Sequence, residues 1–330
     1  MFVSAEDFER SLEIVRASAA GQREGVVGPA STTWRVNREA AIFLGAGRAL
    51  LLQLAHPWVA AAISDQSKVF DDPLGRFHRT FNVTFTMVFG TLDQAVAVAR
   101  RLHRRHAAVV GVVPASAGPF AAGSPYCANE VAALRWVHAT LVESAVLARD
   151  LVLPQLNESE RDRYWSETRL FAALFGIPKE GLAPDWASFI NYTNEMVASE
   201  VLTVSAAARD IAHRIFSGRV TGLRPPLWYR ALTAQMLPER LRLAFELPLG
   251  DAELHSAARA LKWIRRIYPL LPDRLRTVGP YQEALARVHG EQWPALGTQW
   301  VNRLWIGQPR MGSTFDAGAM QSVSEQHEGP

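Results

Sequence analysis

The sequence predicts an all-α protein, and three observations carry that reading. Strand signals are almost absent. Apolar residues recur at spacings of three and four, in segments opened by Thr, Asn or Asp caps and closed by Gly or Pro. Apolar residues make up 48% of the chain, enough for a sizeable core. We therefore expect a single large helical globule. The 330 residues divide into an N-terminal helix and connection over 1–36, a helical domain over 37–308, and a tail over 309–330. That tail is Gly, Ser, Gln and Glu-rich and is expected to be disordered.

The charge balance excludes one class. With 35 basic and 32 acidic residues the net charge is +3, and the basic residues are scattered without an aromatic platform, so nucleic acid is not an expected partner. Cys127 is the one cysteine, which excludes an internal disulfide and a Cys-rich metal site. Glu6, Asp7 and Glu9 stand where an export signal needs basic and apolar segments. The longest apolar run, 40–63, is interrupted by Arg48, His56 and Pro57, which argues against a spanning helix. The expectation is a cytoplasmic protein.

In chain order, Ala5 to Ala20 reads as a short amphipathic helix followed by a Gly-rich connection. Asn37 is expected to cap a helix running to about Ala55. Gly45-Ala46-Gly47 strips bulk from its middle, which lets either another helix or a flat cofactor approach the backbone. His56-Pro57 breaks the chain, and the His lines a pocket or caps a helix end. Asp72-Pro73 starts the next helix, where Arg76, Arg79 and Thr80 share a face beside a Phe77, Phe81, Phe85, Val88 stripe. Two guanidinium groups and a hydroxyl there suit a partly buried carboxylate; the alternative is a solvated edge paired with Asp71 or Asp72.

The segment from Thr91 to Gly111 opens on a Thr91-x-x-Gln94 capping box and closes on glycine. Leu92, Ala95, Ala99, Leu102, His106, Val109 and Val110 form one stripe, with Arg100, Arg101, Arg104 and Arg105 opposite. An imidazole at the centre of an apolar stripe is placed as an axial haem ligand would be, or as a core histidine bonded to a carbonyl. His138 occupies the same kind of stripe on a helix from about Glu130 to Leu153, and the two stand equal by this test.

Further helices are expected from Asn157 to about Leu174 behind an Asn157-x-x-Glu160 box, over Trp186–His213, over Leu227–Leu247, and over Ala252–Tyr268. The last two are Arg-rich and amphipathic; they complete a core or meet a membrane surface or a greasy substrate. G-x-S-x-G, the P-loop, a dinucleotide fingerprint, H-E-x-x-H and E-x-x-H are all missing.

The order Arg38-Glu39-Ala40, Gly47-Arg48-Ala49-Leu50-Leu51-Leu52-Gln53, Ala55-His56-Pro57, Asp72-Pro73 with Arg76 and Thr80, His106 with Val109 and Gly111, and Trp136-Val137-His138-Ala139-Thr140-Leu141 resembles the family that holds rubber oxygenase (latex-clearing protein) and the MpaB-type oxygenases. The resemblance runs from Arg38 to about Ser217. It implies a pocket between helices holding non-covalent haem b, with one axial histidine on the iron, and O2-dependent cleavage of an isoprenoid double bond. The family's axial histidine follows its R-x-x-K-T motif by about one helix. Here the motif is Arg76-Phe77-His78-Arg79-Thr80, so the resemblance assigns the metal to His106. It leaves His138 as a residue behind the cofactor or in the core, while Gly45 and Gly47 remain the candidates for a cofactor face.

The departures matter too. Arg79 replaces a distal lysine and cannot coordinate iron, because a guanidinium stays protonated. Asp65-Gln66-Ser67 stands where relatives have D-H-S, and Asp65, Asp71 and Asp72 are stand-ins for the family's proposed base. The resulting expectation is a haem b oxygenase that uses O2 on a small hydrophobic substrate, with Arg76, Arg79, Thr80 and Asp65 as catalytic candidates and peripheral membrane contact open. The alternatives are a haem-binding sensor or carrier, and a haem-free lipid-binding helical protein.

Overall fold

The computed structural model describes residues 1–65, 73–218 and 224–312, except for the side chains of Pro73, Leu74 and Arg76. The first half comprises helices α1 (Ala5–Ser18), α2 (Thr32–Asn37), α3 (Ala46–Leu54), α4 (Pro57–Asp65), α5 (Pro73–Phe89) and α6 (Leu92–Ala107). A small antiparallel hairpin follows, β1 (Val110–Val112) and β2 (Pro125–Cys127), with Gly111 opposite Tyr126. Then come α7 (Val131–Asp150), α8 (Glu158–Leu174), α9 (Trp186–Ala198), α10 (Ala206–Ser217), α11 (Leu227–Met236), α12 (Glu239–Ala244), α13 (Asp251–Ile267), α14 (Asp273–Arg276), α15 (Gly279–Val288) and α16 (Leu296–Ile306). The protein is all-α.

Side-chain caps explain seven of the helix starts among the described residues. Ser4, Ser31, Thr91, Asn157, Asp185 and Ser205 each accept a hydrogen bond from a backbone N–H one turn on, and Thr91–Gln94 and Asn157–Glu160 close complete capping boxes. Glu130 does the same for α7. Asn37 does not cap. Its amide donates to the Thr33 carbonyl at 3.0 Å and to the Tyr164 hydroxyl at 3.3 Å; Asn37 ends α2, and the helix expected from it to Ala55 is divided into a 3-10 turn (Ala40–Gly45) and α3. The segments 186–213 and 227–247 each divide as well. Ser205 caps a fresh helix in the first, and Pro238 breaks the second.

Among the described residues, two large apolar clusters and two smaller ones fill the interior. One large cluster gathers Phe8, Trp34, Phe85, Phe89, Val96 and Leu174; the other gathers Leu51, Leu52, Trp136, Tyr164, Trp165 and Phe189. α7 is long and apolar enough to cross a bilayer, yet much of it is buried within the fold. Its Trp136 indole donates to the Leu52 carbonyl at 2.8 Å. The apolar run 40–63 is bent by 97° between α3 and α4. Arg48 is buried and fully engaged: it pairs with Glu143 at 2.9 Å, donates to Ser144 Oγ at 2.8 Å and to the Met236 carbonyl at 3.1 Å. Such compensation is what a buried cation requires.

Gly45 and Gly47 are taken up by helix packing. A Cβ at Gly45 would lie 2.5 Å from the Ser144 carbonyl oxygen of α7, and one at Gly47 would lie 2.6 Å from Thr233 Oγ1 of α11. The visitor at both glycines is a helix, so neither presents its Cα to a cofactor. Gly45→Ala is expected to destabilise the protein by about 2 kcal/mol, because the obstacle is a backbone atom that cannot swing aside. A urea titration of the two proteins measures the difference.

The chain after α16 is anchored at its start. The Asn302 amide donates to the Pro309 carbonyl at 3.0 Å, Met311 N–H donates to Glu283, and Met311 is buried. Order therefore extends past Pro309, where the disordered tail was expected to begin; residues 313–330 lie outside the described residues.

Candidate functional site

α5 and α6 are joined by a short turn at Gly90 and pack against each other. Arg79 and Thr80 lie in the first half of α5, and His106 lies in the last turn of α6. Phe77, Phe81, Phe85 and Phe89 form a ladder down α5, with neighbouring ring centroids 4.4 to 5.9 Å apart, and Phe43 leans on it at 4.7 Å from Phe81. Trp305 of α16 stacks on Phe43 at 4.2 Å. The stripe is thus a packed wall. Thr80 is exposed and Arg79 half-buried, while the Arg76 side chain, Asp71 and Asp72 lie outside the described residues.

α6 ends at Ala107, short of Gly111. The run Val109-Val110-Gly111-Val112-Val113 is β-branched and leaves the helix to form β1. Leu92, Ala95 and Ala99 are buried and Arg101, Arg104 and Arg105 exposed, as the stripe requires; Arg100 pairs with Glu9 of α1. His106 sits half-buried in the last turn. Burial pushes its pKa down to about 4, and the charges of Arg105 and His103 add to the effect. Its imidazole is therefore neutral at pH 7, with no hydrogen-bond partner among the described residues.

The other histidines differ, except that His56 shares the lowered pKa and the lack of a hydrogen bond. His138 is buried, with Nε2 at 3.0 Å from the Thr168 carbonyl and its ring 5.9 Å from that of Trp165. One nitrogen is thereby committed to tying α7 to α8. His103 stacks on Phe8 at 4.2 Å and 6°. His78 bonds the Leu304 carbonyl at 3.2 Å. His56 is buried between Trp58 and Phe120, at 6.0 and 5.4 Å, with Nδ1 unpaired and its pKa pushed down to about 4 by burial.

α4 links two of these features. It begins next to His56 and ends at Asp65, and the β-hairpin packs along it. The Tyr126 hydroxyl of β2 donates to Asp65 Oδ2. Gly111 permits that contact: a Cβ there would lie 2.6 Å from the Tyr126 hydroxyl and 2.9 Å from Asp65 Oδ2. Burial, and then the Asp65 charge, push the Tyr126 pKa up, so the phenol keeps its proton and acts as a donor. Asp65 is thus held against the hairpin, whose first strand begins at Val110, three residues beyond the end of α6. Tyr126 was not found from sequence, since a single Tyr in a three-residue strand carries no periodic signal; Gly111, read as a helix end, was the trace of this contact.

The donor chemistry suits an axial haem ligand. An imidazole must be neutral to bind iron, and His106 is neutral and uncommitted where His138 spends Nε2 on a carbonyl. No group of three or more His, Cys, Asp or Glu suited to a metal ion occurs among the described residues.

Residues 34–266 match the family described as ER-bound oxygenase mpaB/B'/Rubber oxygenase, catalytic domain. No curated protein and no solved structure matches the chain.

Proposed function

The chain belongs to the family of MpaB and rubber oxygenase catalytic domains, and from that premise we propose that it is a haem b-dependent oxygenase acting with O2 on a small hydrophobic substrate of isoprenoid type. The observation that carries the haem assignment is the neutral, unbonded imidazole of His106 at the end of α6. Bound there, haem would supply the redox chemistry that activates O2.

The chain's own residues do the rest. His106 contributes the ligating nitrogen, and burial keeps it unprotonated down to about pH 4. Arg79 has no lone pair to offer and serves an anionic group instead, through charge-assisted hydrogen bonds of the kind a propionate accepts. Arg76 and Thr80, on the same turn of α5, complete that role. The phenylalanine ladder behind them excludes water. Asp65 is the proton acceptor: Tyr126 fixes Oδ2, which leaves Oδ1 to take a proton and points the carboxyl in one direction.

The test is O2 uptake by the haem-loaded protein with short polyprenyl substrates. Asp65→Asn is expected to lower turnover by about a hundredfold with the absorption spectrum unchanged, and Tyr126→Phe to lower it less, because the carboxylate remains but is no longer aimed. Full activity in Asp65→Asn would remove the proton role. A loaded wild-type protein with no O2 uptake and a low-spin spectrum indifferent to added imidazole would favour a haem sensor.

A further inference from the structure

A cleft of about 910 Å³ lies between α7, α11 and α13, and it shares no residue with the His106 region. Its size falls at the upper end of the range for small-molecule sites, roughly 300–1,000 Å³. Leu147 of α7, Leu151 just past its end, Leu232 and Met236 of α11 and Leu261 of α13 make it apolar. α13 presents Ala258, Leu261, Lys262 and Arg265 to it, at i, i+3, i+4 and i+7, so one helical face forms the wall.

The rim has one sign of charge. Lys262, Arg265 and Arg266 line the cleft, and no acidic residue does. Arg265 Nε donates to the Leu151 carbonyl at 2.5 Å, which ties α13 to α7 across the cleft. Lys262 and Arg266 have no hydrogen bond or ion pair among the described residues. Two carboxylates of α7 are already used: Asp150 by Arg149 and Arg161, and Glu143 by Arg48. An apolar floor with an unneutralised cationic edge is complementary to one kind of molecule.

We propose that this cleft binds a single-chain anionic amphiphile, an aliphatic chain ending in a carboxylate. The chain lies against Leu151, Leu232, Met236 and Leu261, and the carboxylate meets Lys262 and Arg266. The site is independent of the haem reading, and its test needs neither haem nor O2.

The test is calorimetric titration of the full chain with octanoate, decanoate and dodecanoate below their micellar concentrations, with decanol as the uncharged control and phosphatidylcholine vesicles with and without phosphatidylserine as a separate arm. Affinity is expected to rise roughly fourfold per methylene. Lys262→Gln/Arg266→Gln is expected to weaken decanoate by about tenfold and leave decanol unchanged. Ala258 is exposed at the mouth, so Ala258→Phe should fold normally and block both ligands. The proposal is overturned if decanoate does not bind, if the double variant binds it as the wild type does, or if only the phosphatidylserine vesicles bind, which would make α13 a membrane contact.

Discussion

Replacing His106 by alanine is expected to give a folded protein without haem, and replacing His138 by alanine to give a destabilised protein that keeps it. His106 is half-buried in the last turn of α6 and its ring has no hydrogen-bond partner among the described residues, so its loss removes little packing and no internal bond. His138 is buried, with Nε2 on the Thr168 carbonyl. Its deletion leaves a cavity beside Trp165 and strands a buried acceptor, at a combined cost of about 3 kcal/mol. Absorption spectra of both variants after haem addition, with pyridine haemochrome quantitation, separate the roles. The wild type should show a Soret band, His138→Ala should show it at a lowered melting temperature, and His106→Ala should not show it. Loss of the band in the His138 variant alone would overturn the assignment.

Acid is expected to unfold the protein well before its carboxylates titrate, because buried histidines must take up protons. Burial pushes His56 and His138 from an ordinary value near 6.5 down to about 4. Between those values the unfolded chain binds protons that the folded chain refuses, so stability rises with pH through this window. The contribution is fully present above pH 6.5 and is lost progressively as the pH falls toward 4. Each shift corresponds to roughly 3 kcal/mol, and the two together are a large share of the stability of an ordinary domain, about 5–15 kcal/mol. Urea unfolding at a series of pH values between 7.5 and 4.5 should show the midpoint falling steeply below pH 6.5. His138→Gln, whose amide can still donate toward Thr168, should flatten the curve. A midpoint independent of pH across this window would show that both rings are solvated.

The sequence by itself determined what depends on near neighbours. The all-α class, the capping boxes at Thr91 and Asn157, the α6 stripe with its exposed arginines and the apolar face of α5 were all legible, because each rests on contacts within four residues. The helix break at Ala55–His56 was legible for the same reason. The ordered residues from Arg38 to the Trp136–Leu141 run also pointed to the family that residues 34–266 match.

Tertiary structure decided whatever depends on which surfaces meet. His106 and His138 have the same spacing pattern; only the fold puts a carbonyl of α8 against one and leaves the other unbonded. Gly45 and Gly47 could admit a helix or a flat ring, and the close approach of Ser144 and Thr233 settles them as helix contacts. Asn37 had cap chemistry, but Thr33 and Tyr164 offered its amide better partners. The Tyr126–Asp65 pair joins residues 61 positions apart through a three-residue strand, a separation at which no local pattern reports on contact. Helical period fixes which face a side chain occupies, whereas the identity of the atom across from it depends on long-range packing that a single sequence does not encode locally.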